Sequence, residues 1–110
     1  MTLAELKTAL EGVNNNAFKD KVAYRAFPVN AAPELPFICF KETETSNFLA
    51  DSKVYKKIQE VDIELYSDDK DVDSETAIEE MLDANLLVWD KSEYFIDSED
   101  MLQIVYEITI

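Results

Sequence analysis

The 110-residue chain has no histidine, a single cysteine (Cys39), a single glycine (Gly12) and three prolines, and its basic residues are few. Without histidine there is no imidazole base near neutral pH, no triad built on one, and none of the commonest metal ligand. One cysteine forms no internal disulfide, and with no histidine beside it a structural zinc site is excluded. One glycine rules out a phosphate-cradling loop or a dinucleotide fingerprint. These absences close the standard cofactor routes, so no cofactor and no enzymatic activity are expected. The lone Cys39, inside the apolar run Phe37-Ile38-Cys39-Phe40, reads as a small hydrophobe in a reducing compartment.

Positive charge is the other scarcity. Ten Lys and Arg face 24 Asp and Glu, giving a net charge of −14. Neutralising phosphates takes Lys and Arg, so specific nucleic-acid binding is disfavoured. An anionic membrane surface would repel the chain as well. No stretch approaches the roughly 20 apolar residues of a membrane span. The start Met1-Thr2-Leu3-Ala4-Glu5 lacks the long apolar core of a signal peptide, which predicts a chain that stays in the cytosol where it is made.

Apolar residues make up 47% of the chain and aromatics 11%, enough to fill a core. A chain of this length buries roughly 65% of its unfolded surface, so residues 1–110 read as one domain. Leu3, Leu6, Leu10 and Val13 recur at helical spacing and predict a helix from Thr2 to Val13. Thr2 and Glu5 form its capping box, and Gly12 with Asn14-Asn15-Asn16 ends it. A strand is expected over Val22–Val29, then a loop over Asn30–Pro36, where two prolines remove backbone donors. Phe37–Thr43 reads as a second strand. After the polar segment Glu44–Lys53 comes a long strand, Val54–Tyr66, in which Val61, Ile63 and Leu65 alternate with Glu60, Asp62 and Glu64. The two runs predict a hairpin with an extended tip.

A charged turn over Ser67–Asp71 leads to a second helix over Asp73–Ala84, capped by Asp73 or Ser74, with Ala77, Ile78, Met81 and Leu82 as its stripe. Leu86–Trp89 reads as a short buried strand, Asp90–Ser92 as a turn, and Tyr94–Ile96 as a return to the sheet. The last strand places Leu102, Ile104, Tyr106, Ile108 and Ile110 on one face. The order predicts an α+β fold: a mostly antiparallel sheet with a long β-hairpin, and two helices packed on one face.

Carboxylates are the remaining candidates for chemistry. Asp68, Asp69, Asp71, Asp73 and Glu75 lack the glycine and the spacing of a calcium loop, and read as a solvated turn and helix start. Trp89 and the tyrosines at strand spacing read as core and cross-strand partners. No metal site is expected.

As a string, Val22-Ala23-Tyr24-Arg25-Ala26-Phe27-Pro28, Leu35-Pro36-Phe37-Ile38, Ser46-Asn47-Phe48-Leu49-Ala50-Asp51, Val61-Asp62-Ile63-Glu64-Leu65-Tyr66 and Val105-Tyr106-Glu107-Ile108 resemble small tail proteins of long-tailed phages and prophages. The likeness is nearest to the tail terminator (tail completion) family, which includes the minor tail protein U of phage lambda. The resemblance implies a non-enzymatic virion protein forming a ring, hexameric in that family, at the head-proximal end of the tail tube. It would assemble in the host cytoplasm and remain in the virion tail. Its partners would be copies of itself, the tail tube protein and a head-completion (neck) protein. It would make Phe48, Leu49 and Tyr55 a candidate subunit interface and Glu60, Asp62 and Glu64 a candidate negative channel surface. The alternative from a different class is an acidic DNA mimic that occupies the groove of a nucleic-acid-binding enzyme.

Overall fold

The computed structural model describes residues 1–50 and 53–110, with the backbone alone for 46–50 and 53–57. Helix α1 (Leu3–Asn16) opens with the capping box: the Thr2 amide donates to Glu5 Oε1 at 3.0 Å and the Glu5 amide to Thr2 Oγ1 at 3.1 Å. These bonds hold the Glu5 carboxyl below its usual range. Its right-handed course breaks at Val13 (ψ 152°), and Asn14, Asn15 and Asn16 all take positive φ, from 52° to 65°. The asparagines rather than Gly12 supply the left-handed turn, because a short amide side chain tolerates that backbone region. Phe18, just past the turn, drops fully into the core.

Five strands follow in the spatial order β1-β2-β3-β5-β4: β1 (Val22–Tyr24), β2 (Phe37–Ala50), β3 (Lys53–Ser67), β4 (Trp89–Ile96) and β5 (Met101–Thr109). The sheet is antiparallel except for the parallel β1–β2 pair, and with its two helices it is an α+β fold. The first strand is shorter than its apolar pattern suggests, because Arg25 turns to φ 69° and its amide bonds back to Phe40 O at 2.7 Å.

Helix α2 (Val72–Ala84) is capped by Asp71, whose side chain accepts from the Ser74 amide at 3.1 Å, and not by Asp73 or Ser74, which lie two and three residues further on. A short 3₁₀ turn (Asp97–Glu99) links β4 to β5. No described helix is long and apolar enough to cross a membrane.

One buried cluster joins Leu6 and Leu10 of α1, Ile78 and Leu82 of α2, and Ile38, Phe40, Ile63, Leu65, Ile104 and Tyr106 of the sheet. Along each strand these sheet residues share one parity of the pleat, so they point to one face. Burying a side chain of this size stabilises by about 1.5–3 kcal/mol.

Leu86–Trp89 departs from expectation. Leu86 and Val88 are 91% and 85% exposed, while Leu87 and Trp89 pack against the core. The chain leaves α2 through Leu86 at φ 58° and then alternates, so only every second apolar residue turns inward. The residues Asp90–Ser92, expected as a turn, instead lie in the first half of β4.

Candidate functional site

Register alone builds the second face of the sheet, opposite the one whose residues join the buried cluster. Four cross-strand rows lie on it: Phe37, Tyr66, Gln103 and Tyr94; then Cys39, Glu64, Val105 and Ser92; then Lys41, Asp62, Glu107 and Asp90; then Glu44, Glu60 and Thr109. The face is therefore graded, aromatic and amide-bearing at one end and carboxylate-rich at the other.

At the aromatic end Phe37 stacks obliquely on Tyr66 (5.2 Å) and meets Phe27 edge-on (5.4 Å). Gln103 donates to the Tyr66 hydroxyl at 2.9 Å and to Glu64 Oε2 at 3.2 Å. Lys41 approaches the same carboxylate oxygen at 3.7 Å. Glu64 is thereby only 8% exposed, a buried charge with a hydrogen-bond donor and a cation beside it. Burial, with the Glu64 charge added, pushes the Cys39 thiol up to about 11 and the Tyr66 phenol up to about 12. Cys39 is thus a buried, protonated thiol and a poor nucleophile.

At the other end the carboxylates stand open. A groove of about 420 Å³ runs along them, lined by Glu60, Asp62, Asp90, Glu107, Thr43 and Val88. Among the described residues none of these four acids has an ion-pair partner. Glu44 faces Glu60 directly across the strands, and its negative charge raises the Glu60 pKa above its usual value.

The hairpin continues past this acidic end. β3 pairs with β5 only from Glu60 to Ser67, and β1 reaches β2 only at Ile38–Phe40. Among the described residues the last backbone bonds from outside the hairpin are the pair between Gln59 and Ile110. Beyond it, among the described residues, Thr45–Ala50 and Lys53–Ile58 pair only with each other. At about 3.3 Å per residue this two-stranded arm extends roughly 20 Å from the sheet. The molecule is elongated accordingly, 50 × 28 × 23 Å.

Of the positions singled out from the sequence, Glu60, Asp62 and Glu64 do share one face of β3. The first two are half-buried, whereas Glu64 is buried, held inward by Lys41 and Gln103. Phe48, Leu49 and Tyr55 belong to the arm's strands, and their side chains lie outside the described residues. Cys39, Trp89 and Tyr106 are core or packing residues: Trp89 meets Tyr106 edge-on at 5.6 Å and donates to Asp83 at 2.9 Å.

Sequence reasoning missed a second charged cluster, on the helix side. Glu75, placed by its sequence neighbours in a solvated helix start, is only 3% exposed. Its Oε1 accepts from Lys70 at 3.0 Å and from Lys91 at 2.9 Å, while Oε2 has no partner. Lys70 also reaches Glu93, and Lys91 also reaches Glu79, which accepts the Tyr106 hydroxyl at 2.8 Å. The signal was present: Glu75 lies three and seven residues before Ile78 and Leu82, on the helix's own apolar stripe.

Among the described residues no group of three or more cysteine, aspartate or glutamate side chains is placed to hold a metal ion. Neither protein-family models nor curated proteins match this chain, which leaves its function to be read from the geometry.

Proposed function

We propose that this chain is a structural protein of a long-tailed phage or prophage: a tail terminator that closes the head-proximal end of the tail tube as a ring. The observation carrying this reading is the arm, a two-stranded ribbon whose strands, among the described residues, pair with no other strand. An isolated ribbon of this kind is marginally stable in water and gains from packing on another surface. An arm on one subunit and a receiving surface elsewhere make a heterologous contact, the kind that closes into a ring after a fixed rotation. Phe48, Leu49 and Tyr55, all on the arm's strands, are its candidate anchors on the neighbour.

The charge suits the same role. A ring of strongly acidic subunits repels DNA and lets it slide through, the reverse of binding by counterion release. The ring would end tube polymerisation on one side and present a surface to a head-completion protein on the other. In a DNA mimic, by contrast, carboxylates should spread over one elongated face, yet the arm carries three lysines, Lys53, Lys56 and Lys57.

The test is reconstitution with the tail tube protein of the same phage or prophage. Addition of the chain should stop tube elongation, and electron microscopy should find it at one end of each tube only. Tubes that elongate unchanged, with the chain unbound, would overturn the reading.

A further inference from the structure

We infer that the carboxylate end of the open sheet face receives the basic arm of a second copy of this chain. The inference builds on the self-assembly in the proposed function, and on nothing about where in a virion that assembly sits.

The chain's charges are segregated along its length. Residues 45–59 contain Lys53, Lys56 and Lys57 against the single acid Asp51, in a chain of 10 basic and 24 acidic residues. The lysines all belong to the β3 strand of the arm, opposite Ala50, Phe48 and Asn47. The receiving end carries the opposite sign: Asp62, Glu107 and Asp90 adjoin along one row, with Glu60 and Glu44 in the next. Like charges directly across neighbouring strands destabilise a sheet, so this surface carries an internal repulsion that an incoming cation relieves. Lys41, the one base in these rows, has its ammonium on Glu64 instead. The acids of the groove have no ion-pair partner among the described residues, and the helices occupy the other face.

Geometry makes the contact intermolecular. The arm continues β2 and β3 outward from the sheet in antiparallel pairing, with register shifts at Glu42/Glu44 and Phe48/Leu49. It leads away from its own acidic rows and cannot lie across them while that pairing persists. Each copy therefore offers one arm and one face, and successive copies join head to tail. Exposed pairs of this kind set the register and orientation of a contact and weaken with salt. The face supplies the charge, and its partly apolar walls at Val88 and Thr43 supply area for the arm's apolar residues.

Light scattering behind a sizing column tests this with two variants: an arm reversal (Lys53→Glu, Lys56→Glu, Lys57→Glu) and a face reversal (Asp62→Lys, Asp90→Lys, Glu107→Lys). Circular dichroism and melting curves first establish that each variant is folded. Wild-type chain should associate as its concentration rises, and less so at high salt. Each variant alone should lose the assembly, because its arm and face then carry the same sign. An equimolar mixture should recover it, each reversed arm finding a reversed face. Wild-type chain that assembles while both variants assemble equally well overturns the docking surface and leaves the proposed function standing. Folded variants that fail to reassemble on mixing overturn it too. Wild-type chain that remains monomeric at every concentration, alone and with tube protein, overturns both. Capture of a basic enzyme by the wild-type face in place of its own arm would overturn the inference in favour of the DNA mimic.

Discussion

Glu75 of α2 and Lys91 of β4 meet at 2.9 Å with the glutamate almost wholly buried, and this contact ties the second helix to the edge of the sheet. A buried carboxylate is costly unless cations and hydrogen bonds surround it. Here two lysines share the work, Lys70 from the turn before the helix and Lys91 from the strand after it.

That sharing predicts non-additive mutations. Lys70→Met or Lys91→Met alone leaves Glu75 one cation, and each should cost about 0.5–1 kcal/mol, the range of partly exposed pairs. The double variant strands the carboxylate, and its cost should exceed the sum of the two by about 1–3 kcal/mol. Urea unfolding of the four proteins in the cycle measures the coupling. A double variant that is merely additive would mean Glu75 draws its stability from elsewhere.

Stability should fall on the alkaline side. An unfolded cysteine titrates near 8.5, a tyrosine near 10 and a lysine near 10.4. In the fold, burial holds Cys39 up at about 11 and Tyr66 at about 12, and burial with the Glu79 bond raises Tyr106 further in the same direction. Lys70 is raised by its bonds to Glu93 and Glu75, and Lys91 by those to Glu75 and Glu79. For each group the native state keeps its proton when the unfolded chain has lost it, so stability declines as pH rises. The contribution of each is complete below its unfolded value and disappears as pH climbs through its folded one. Melting temperatures measured from pH 7 to pH 11 should drop from about pH 8.5 upward, and Cys39→Ala should flatten the first part of that fall.

Phe18 has no regular element of its own, yet it is completely buried in the core cluster shared by the helices and the sheet. Phe18→Ala should cost about 3–5 kcal/mol, the range for an aromatic removed from a packed core. Chemical denaturation with an unchanged slope would identify the loss as one of stability and not of the unfolded state.

Leu86 and Val88 should behave in the opposite way. Both look like core residues in sequence and both are exposed, so Leu86→Ser and Val88→Ser should each change stability by no more than about 0.5 kcal/mol. A loss of several kcal/mol in thermal melts of the monomer would contradict their placement.

The sequence by itself determined the α+β class, the capping box at Thr2 and Glu5, both helices, and the alternation of β3 and β5, because those follow from local periodicity and short-range hydrogen bonding. It also made the acidic parity of β3 readable, since a pleat sends Glu60, Asp62 and Glu64 to one side whatever they meet there. Only the tertiary structure decided what each then met. Glu64 is sheltered because Lys41 and Gln103 come from strands on either side of it, and Glu75 is buried because lysines before and after its helix converge on it. Leu86 and Val88 were exposed by the direction in which the chain leaves α2, which no run of apolar residues records. The parallel placement of β1, the sheet order that makes β5 a central strand, and the arm standing clear of the sheet are all matters of which strands pair and where the pairing stops. Periodicity fixes the faces of an element, whereas its neighbours are chosen by contacts between residues far apart in the chain.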